Sequence, residues 1–142
     1  MTGSSINFHL EELNYRIRNI RLLKLWISQS VSKEARDLGN LNIVLCTDDY
    51  LHKMNVEHLD HDTLTDIITF NYNEDSTING DLFISLDRVR DNAQELSENL
   101  TDELHRVMIH GVLHLCGYKD KSLKDSELMR EKEDFYLSLR PF

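Results

Sequence analysis

The segment that most constrains the fold is the run from His110 to Asp120, which reads His-Gly-Val-Leu-His-Leu-Cys-Gly-Tyr-Lys-Asp. His110 and His114 are four positions apart, so on a helix their imidazoles lie one turn apart on one face and can reach a single ion. Gly117 permits a left-handed backbone that ends the helix and turns the chain back, which brings Asp120 toward the two imidazoles. The run therefore predicts a helix followed by a reversing turn.

The same three side chains form a donor set suited to a metal ion. Two neutral imidazoles and one carboxylate leave a coordination position open to water, which is typical of catalytic zinc, whereas structural zinc is usually closed by four protein ligands. A histidine pair at this spacing also occurs by chance on ordinary helices, but the glycine and the aspartate that follow it favour metal binding. We therefore predict a metal site formed by His110, His114 and Asp120.

The helix that carries the histidines is predicted over residues 100–115. Its apolar stripe, which should face a sheet, consists of Leu104, Met108, Gly111 and Leu115. Glu103 lies with His110 and His114 on a neighbouring stripe. Glu103 is therefore a candidate to orient one imidazole, as metal-bound histidines commonly require, although an exposed glutamate near a helix N-terminus is an equal alternative.

The rest of the chain alternates between strand and helix patterns. Alternating and β-branched residues predict strands over residues 6–8, 41–46, 66–72 and 81–85, of which the last two form a hairpin joined by residues 73–80. Helical patterns predict helices over residues 13–35, 86–96, 100–115 and 122–139, and a short helix that starts at the cap residues 47–49 and continues through Met54. We expect an α+β (α/β layered) fold in which a mixed β-sheet of about four strands packs with about five helices.

Length and composition bound the possible functions. A chain of 142 residues with no internal repeat is expected to be a single domain over residues 1–142. The absence of a signal-like segment and of any run of about 18 apolar residues predicts a soluble, cytoplasmic protein without membrane contact. Cys46 and Cys116 follow apolar residues and should be buried free thiols. The net charge of -9 argues against wholesale nucleic-acid binding, and no DNA partner is expected.

Three segments of the chain resemble a known family. The run from His110 to Tyr118 is similar to the signature of the YbeY family of single-strand-specific endoribonucleases, also called rRNA maturation factors, at each of its fixed His, Gly, Leu and Tyr positions. Residues 65–70, Thr-Asp-Ile-Ile-Thr-Phe, and residues 80–85, Gly-Asp-Leu-Phe-Ile-Ser, resemble that family as well. Order and spacing agree over residues 6–135.

The resemblance implies a metal-dependent endoribonuclease that acts in rRNA processing, rRNA maturation and ribosome quality control. It implies one Zn²⁺ per chain, with another divalent metal as the alternative, and it implies single-stranded RNA, ribosomal RNA and ribosomal components as partners. A metal-activated water would attack the phosphodiester, and the sequence identifies no general base. Thr65, Asp66 and Lys119 become candidates for substrate contact, Lys119 because a cation beside the metal can attract phosphate.

Three positions depart from the family pattern. Asp120 stands where the family usually has a third histidine ligand, so the site would carry about one unit less positive charge and its water would be less acidic. By spacing, Leu59 replaces an arginine expected to contact the RNA backbone, and Leu64 replaces a proline. A neutral residue cannot make the charge-assisted contact of an arginine. The nearby candidates to replace that contact are His52, Lys53, His58 and His61.

Other functions stay open on the sequence alone. The His-x-x-x-His-x-x-Gly-x-x-Asp spacing also fits metzincin-like metallopeptidases, but Gly111 stands where a zinc peptidase with a similar helix carries the glutamate that takes the proton from water. A metal-bearing ribosome assembly factor without catalysis is a second alternative, which Leu59 favours. Two histidines and a carboxylate can also hold Fe(II) for oxygen chemistry, although such a triad is not normally built on adjacent helix turns.

Overall fold

The computed structural model describes residues 4–59 and 65–142, with Leu59 described through its backbone alone. This part of the chain contains, in order, β1 (Ser5–Glu11), α1 (Ile20–Lys33), β2 (Asp37–Cys46), α2 (Asp48–Leu59), β3 (Ile67–Asn71), β4 (Thr77–Ser85), α3 (Leu86–Glu95), α4 (Leu100–Leu115) and α5 (Leu123–Ser138). The predicted α+β class, with a mixed sheet and five helices, is confirmed.

The four strands form one sheet in the order β1-β2-β4-β3. β1 and β4 run parallel to β2, whereas β3 runs antiparallel to β4. Parallel neighbours require a crossover connection, and α1 supplies it between β1 and β2. β3 and β4 form the predicted hairpin, but its connection is shorter than expected, because β4 already begins at Thr77.

Alternation along the strands gives the sheet two different faces. On one face, buried side chains of β2 and β4 pack with α1, α3, α4 and α5 in the main core. The opposite face carries a smaller apolar cluster around Leu51 of α2 and Ile68 of β3. Cys46 belongs to the smaller cluster and Cys116 to the main core, and both are buried free thiols, as predicted.

The long helix predicted over residues 13–35 is wrong in its first part, because α1 begins only after Asn19. Leu13, Tyr15 and Ile17 pack against the main core, while the residues between them are exposed. A period of two is the pattern of extended chain. Asn19, at φ 58°, then turns the chain into the helix, and asparagine is among the few residues that adopt this left-handed conformation routinely.

Gly111 allows α4 to approach the sheet closely. A Cβ atom at this position would lie 2.8 Å from Ile67 Cδ1 and 2.9 Å from Leu82 Cδ1, so any larger side chain would push α4 away from β3 and β4. The start of α4 is fixed by Asn99, whose side chain accepts a hydrogen bond of 2.8 Å from the backbone N–H of Asp102. The helix that carries both histidines is therefore fixed against the sheet and at its first turn.

Candidate active site

α4 presents His110 and His114 on one face, as their spacing predicts. Their Nε2 atoms are 3.1 Å apart. Each imidazole is only partly exposed, because α4 also packs into the main core. Both Nε2 atoms therefore meet at one point on the edge of the core that solvent can reach.

The turn after α4 reverses the chain as predicted. The backbone N–H of Gly117 donates to the carbonyl of His114, and that of Tyr118 donates to the carbonyl of Leu113, each at 3.0 Å. This pair of bonds is the Schellman motif, which requires a left-handed residue just past the helix end. Gly117 fills that position at φ 108°, where a side chain would be strained.

Two side chains from the region after α1 anchor this turn. Tyr118 donates its hydroxyl to Glu34 Oε1 at 2.7 Å. Arg36 Nη2 donates to the carbonyl of Cys116 at 2.9 Å, which satisfies one of the acceptors left open at the end of α4. The segment that carries Asp120 is thus held by hydrogen bonds on both sides of Gly117.

Asp120 returns to the two imidazoles. Its Oδ2 atom lies 3.3 Å from His110 Nε2 and 3.4 Å from His114 Nε2. One ligand atom from each of the three residues lies within 4.8 Å of the others, which a single metal ion could bridge. Two imidazole nitrogens and one carboxylate oxygen are a donor set that zinc accepts, with room left for water or substrate.

A second carboxylate, that of Glu133 on α5, contacts His110 on the ring nitrogen that faces away from the cluster. Its Oε2 atom lies 2.6 Å from His110 Nδ1, and its Oε1 atom accepts a hydrogen bond of 3.0 Å from Arg106 Nη1. Burial alone lowers the pKa of His110, but the hydrogen bond and the charge of Glu133, followed by the charge of Asp120, outweigh burial and raise it. No sequence motif indicated Glu133. The available signal was its position on a buried stripe of α5 between Met129 and Tyr136.

Glu103, the candidate to orient an imidazole, is buried near the site and not exposed as the alternative had it. The carboxylate that lies against His110 Nδ1 is that of Glu133 instead. Within the described part of the chain, Glu103 Oε1 has no hydrogen-bond partner. Burial raises the pKa of its carboxyl, an effect that the charge of Arg106 opposes. Glu103 and His110 line the same cavity beside α4, but the packing of α5 decides which carboxylate reaches the ring.

Two cavities of about 530 Å³ each adjoin the cluster, and both are lined by Asp66, His110 and Asp120. The first lies toward α3 and α5, where Asn92 and Arg130 form part of its wall. The second follows the edge strand β3 and is lined by Asn55, Thr65, Ile67, Ile68, Thr69, Asn71, His114 and Leu115. A substrate in either cavity would therefore lie beside the three predicted metal ligands.

The predicted substrate residues differ in how the structure places them. Thr65 lines the second cavity and Asp66 lines both. Burial raises the pKa of the Asp66 carboxyl, which the charge of His110 partly opposes, and Asn92 Nδ2 donates to it at 3.3 Å. Lys119 is exposed in the turn and does not line either cavity.

The described candidates to replace the family arginine do not line the two cavities either. His52, Lys53 and His58 all lie on α2. His61 and the side chain of Leu59 lie outside the described residues. Two arginines line the first cavity, and no sequence motif indicated either of them. Arg106 is paired with Glu133 and Asp134, whereas Arg130 of α5 is exposed.

The fold and the cluster together define a class of protein. An α+β layer places two imidazoles and one carboxylate at the junction of two open cavities, where a metal ion could be reached by substrate and water. That arrangement is typical of metal-dependent hydrolases, in contrast to the closed ligand shells of structural zinc.

Comparison with known proteins specifies the family. The family described as Endoribonuclease YbeY matches residues 5–139. The Endoribonuclease YbeY of Flavobacterium johnsoniae is 49% identical over 129 residues, which cover 91% of this chain and 92% of the relative. That of Cytophaga hutchinsonii is 48% identical over 143 residues and 100% of both chains. The chain therefore belongs to the YbeY family of endoribonucleases, which are hydrolases.

A solved structure supports the same assignment. The solution structure of TM1509 from Thermotoga maritima superposes with a TM-score of 0.67 at 30% identity, and the match covers 94% of this chain and 87% of that one. The fold described above is therefore shared with a protein whose structure was determined independently. No helix in residues 4–59 or 65–142 is both long and apolar enough to span a membrane.

Proposed function

We propose that this protein is a single-strand-specific, metal-dependent endoribonuclease that acts in the cytoplasm on ribosomal RNA during its processing and maturation, and thereby in ribosome quality control. The observation that carries the proposal is the convergence of His110 Nε2, His114 Nε2 and Asp120 Oδ2 at the junction of two cavities. Family membership supports RNA as the substrate. Ribosomal RNA and ribosomal components as partners are part of the proposal.

We assign His110, His114 and Asp120 as the ligands of one Zn²⁺ ion. The mixed nitrogen and oxygen donors of this cluster fit zinc better than calcium or magnesium, which prefer oxygen ligands alone. A bound zinc ion would act as a Lewis acid that makes water more acidic and offsets negative charge on the phosphodiester. Asp120 contributes a negative charge that a third histidine would not, so the pH optimum of cleavage should lie above that of an Asp120→His variant.

We assign Thr65 and Asp66 to substrate contact. Asp66 lines both cavities, and Thr65 lines the cavity along β3. A carboxylate repels phosphate, so Asp66 would accept hydrogen bonds from a ribose hydroxyl or from a base amino group. The 2′-hydroxyl is the group that distinguishes RNA from DNA, and a contact to it would explain why a DNA partner is not expected.

The RNA backbone needs a cation, and Arg130 and Lys119 are the proposed sources. The chain carries a net charge of -9, so its contacts with phosphate must be local. Arg130 is exposed and lines the cavity that also contains His110, so its guanidinium could make the phosphate contact that the neutral Leu59 cannot make. Lys119 lies in the turn directly before Asp120 and would add a weaker attraction.

Cleavage of an end-labelled single-stranded RNA oligonucleotide, with the same sequence as a duplex for comparison, tests the proposal. We expect the wild type with zinc to cut the single strand, and Asp66→Asn to lose cleavage while it retains zinc. Arg130→Ala should weaken RNA binding and lessen its salt dependence, whereas Arg90→Ala, a cation on α3 that lines neither cavity, should leave both unchanged. A zinc-loaded wild type that binds ribosomal RNA and never cuts it would contradict the proposal and favour a non-catalytic assembly factor.

A peptidase function is disfavoured. Gly111 lies directly after the first histidine and packs against Leu82, so it supplies no carboxylate to take a proton from water. The family that matches the chain is one of endoribonucleases. Failure to cleave a mixture of unstructured peptides under the conditions that support RNA cleavage is the expected result.

A further inference from the structure

We propose that Glu133 is a positioning residue that holds His110 in the tautomer needed for metal binding, and that Arg106 in turn holds Glu133. The inference rests on the proposed metal site, because it concerns how one of its ligands is prepared. The observation that carries it is a continuous chain of contacts from Arg106 through Glu133 to the Nδ1 atom of His110.

The two nitrogens of His110 face different partners. Nδ1 lies 2.6 Å from Glu133 Oε2, whereas Nε2 faces His114 Nε2 at 3.1 Å and Asp120 Oδ2 at 3.3 Å. A carboxylate oxygen can only accept, so the proton of the neutral imidazole lies on Nδ1. The lone pair is then on Nε2, which is the atom that points at the other predicted ligands.

Arg106 fixes the orientation of the Glu133 carboxylate. It lies one helical turn before His110, so α4 supplies both donors and α5 supplies the acceptor. Arg106 Nη1 donates to Glu133 Oε1 at 3.0 Å, and the side chains of the two residues are 13% and 6% exposed. Each carboxylate oxygen thus has one partner, and the group has little freedom to rotate away from the ring.

The chemistry of Glu133 can be separated from its shape. A glutamine has the same shape but only one acceptor oxygen. Arg106 and His110 contact different oxygens of Glu133, so in this orientation the glutamine oxygen can face only one of them. The charged guanidinium should take that oxygen, so the glutamine NH₂ group would face His110 Nδ1. Nδ1 would then have to accept, which moves the imidazole proton to Nε2 and blocks the atom that binds metal.

A purely structural role for the same contacts makes a different prediction. If Glu133 only joins α4 to α5, loss of its charge would affect stability and leave the His110 tautomer unchanged. Asp134 provides the matched control, because it also accepts from Arg106, at 2.8 Å, and makes its ion pair from an exposed side chain. Asp134→Asn removes a negative charge that neighbours Glu133 in sequence and that pairs with the same arginine.

Nitrogen-15 NMR of the imidazoles and zinc competition with a chelator test the inference. In metal-free wild type and Asp134→Asn, at alkaline pH where the imidazole is neutral, His110 should carry its proton on Nδ1. In Glu133→Gln the proton should move to Nε2, and zinc affinity should fall by about 10- to 100-fold. The double variant Arg106→Met/Glu133→Gln frees the glutamine oxygen for His110 and should restore the Nδ1 proton together with part of the affinity.

Each outcome decides the inference. A wild-type His110 protonated on Nε2, an unchanged tautomer and affinity in Glu133→Gln, or an equal loss in Asp134→Asn would overturn it. No recovery in the double variant would contradict the role given to Arg106. The tautomer of the wild type is measured without metal, so an Nε2 proton there would overturn the inference even if Glu133→Gln does not fold. A wild type that binds no zinc would instead refute the proposed function.

Discussion

Replacement of Arg106 by methionine should destabilise the metal-free protein substantially, because it leaves the buried Glu133 carboxylate with a single partner. Glu133 is 6% exposed and keeps only its contact with His110 in the variant. Loss of one partner from a buried ion pair typically reduces stability by about 3 to 5 kcal/mol. The remaining imidazole contact places the expected loss at the lower end, about 3 kcal/mol. At roughly 3 to 4 °C per kcal/mol for a chain of this size, Tm should fall by about 10 °C.

Urea denaturation in the presence of a chelator, followed by circular dichroism, measures the change in the free energy of unfolding. Asp134→Asn is the control, since it removes the other partner of Arg106, whose side chain is 60% exposed. An exposed ion pair contributes about 0 to 1 kcal/mol, so this variant should remain close to wild type. The two substitutions therefore separate the buried contact of the arginine from its exposed contact.

The double variant Arg106→Met/Glu133→Gln tests whether an unpaired buried charge causes the loss of stability. If the loss in Arg106→Met arises from a buried charge without its partner, removal of that charge should restore stability. The double variant should then be at least as stable as Arg106→Met alone. A loss below about 0.5 kcal/mol in Arg106→Met, or a double variant less stable than the single one, would refute the reasoning.

Other groups give predictions that one or two measurements can check. Burial is the main cause that lowers the pKa of His105 from 6.5 to about 4. Between these two pH values the unfolded state binds more protons than the folded state, so the free energy of unfolding should fall by about 3 kcal/mol as the pH drops from 6.5 to 4. Urea titrations at several pH values should show a weaker pH dependence of stability in His105→Gln and an unchanged one in the exposed-site control His9→Gln. The same pH dependence in both variants would contradict the role given to His105. Gly117→Ala, at φ 108°, should reduce stability by about 1 to 3 kcal/mol and weaken zinc binding in chelator competition, and wild-type values would count against the turn. Burial raises the pKa of the Cys46 thiol to about 12 and that of Cys116 to about 11, so both should react with a thiol reagent only on unfolding, and rapid labelling of the folded protein would disprove their burial.

Much of the fold could be predicted because its signals are local. The bounds of α4 agree with the predicted helix over residues 100–115, since its apolar stripe and its capping residues lie within the segment itself. The hairpin of β3 and β4 is likewise a contact between neighbours in sequence. The order of the strands has no such local signal. β2 pairs with β4 although residues 47–76 separate the two strands, and no periodicity within either strand specifies that partner.

The start of α1 shows where a local signal was ambiguous. Residues 13–19 contain apolar side chains that fit a helical stripe, and they also fit the alternation of an extended segment. The extended form is the one observed, with Leu13, Tyr15 and Ile17 against the main core. The left-handed conformation of Asn19 marks the true boundary, and asparagine was the residue that could have indicated it.

The site likewise contains residues that local sequence signals predict and residues that they do not. The three predicted ligands lie within the run from His110 to Asp120, so helix periodicity and one glycine suffice to bring them together. Glu133 lies 23 positions after His110 and reaches it only because α5 packs on α4. Arg130 enters the cavity wall for the same reason. Tertiary packing, which a single sequence does not specify, therefore determines the residues that surround the ligands.

The measurement that tests the central claim most directly is the metal content of purified protein by elemental mass spectrometry, after supply of zinc and removal of free metal. Wild type and the exposed-site control His9→Ala should each carry about one zinc ion per chain. His110→Ala and His114→Ala should carry none, and Asp120→Ala should retain little. Full zinc content in the His114→Ala and Asp120→Ala variants, or none in the wild type, would contradict the assignment of this cluster as the metal site.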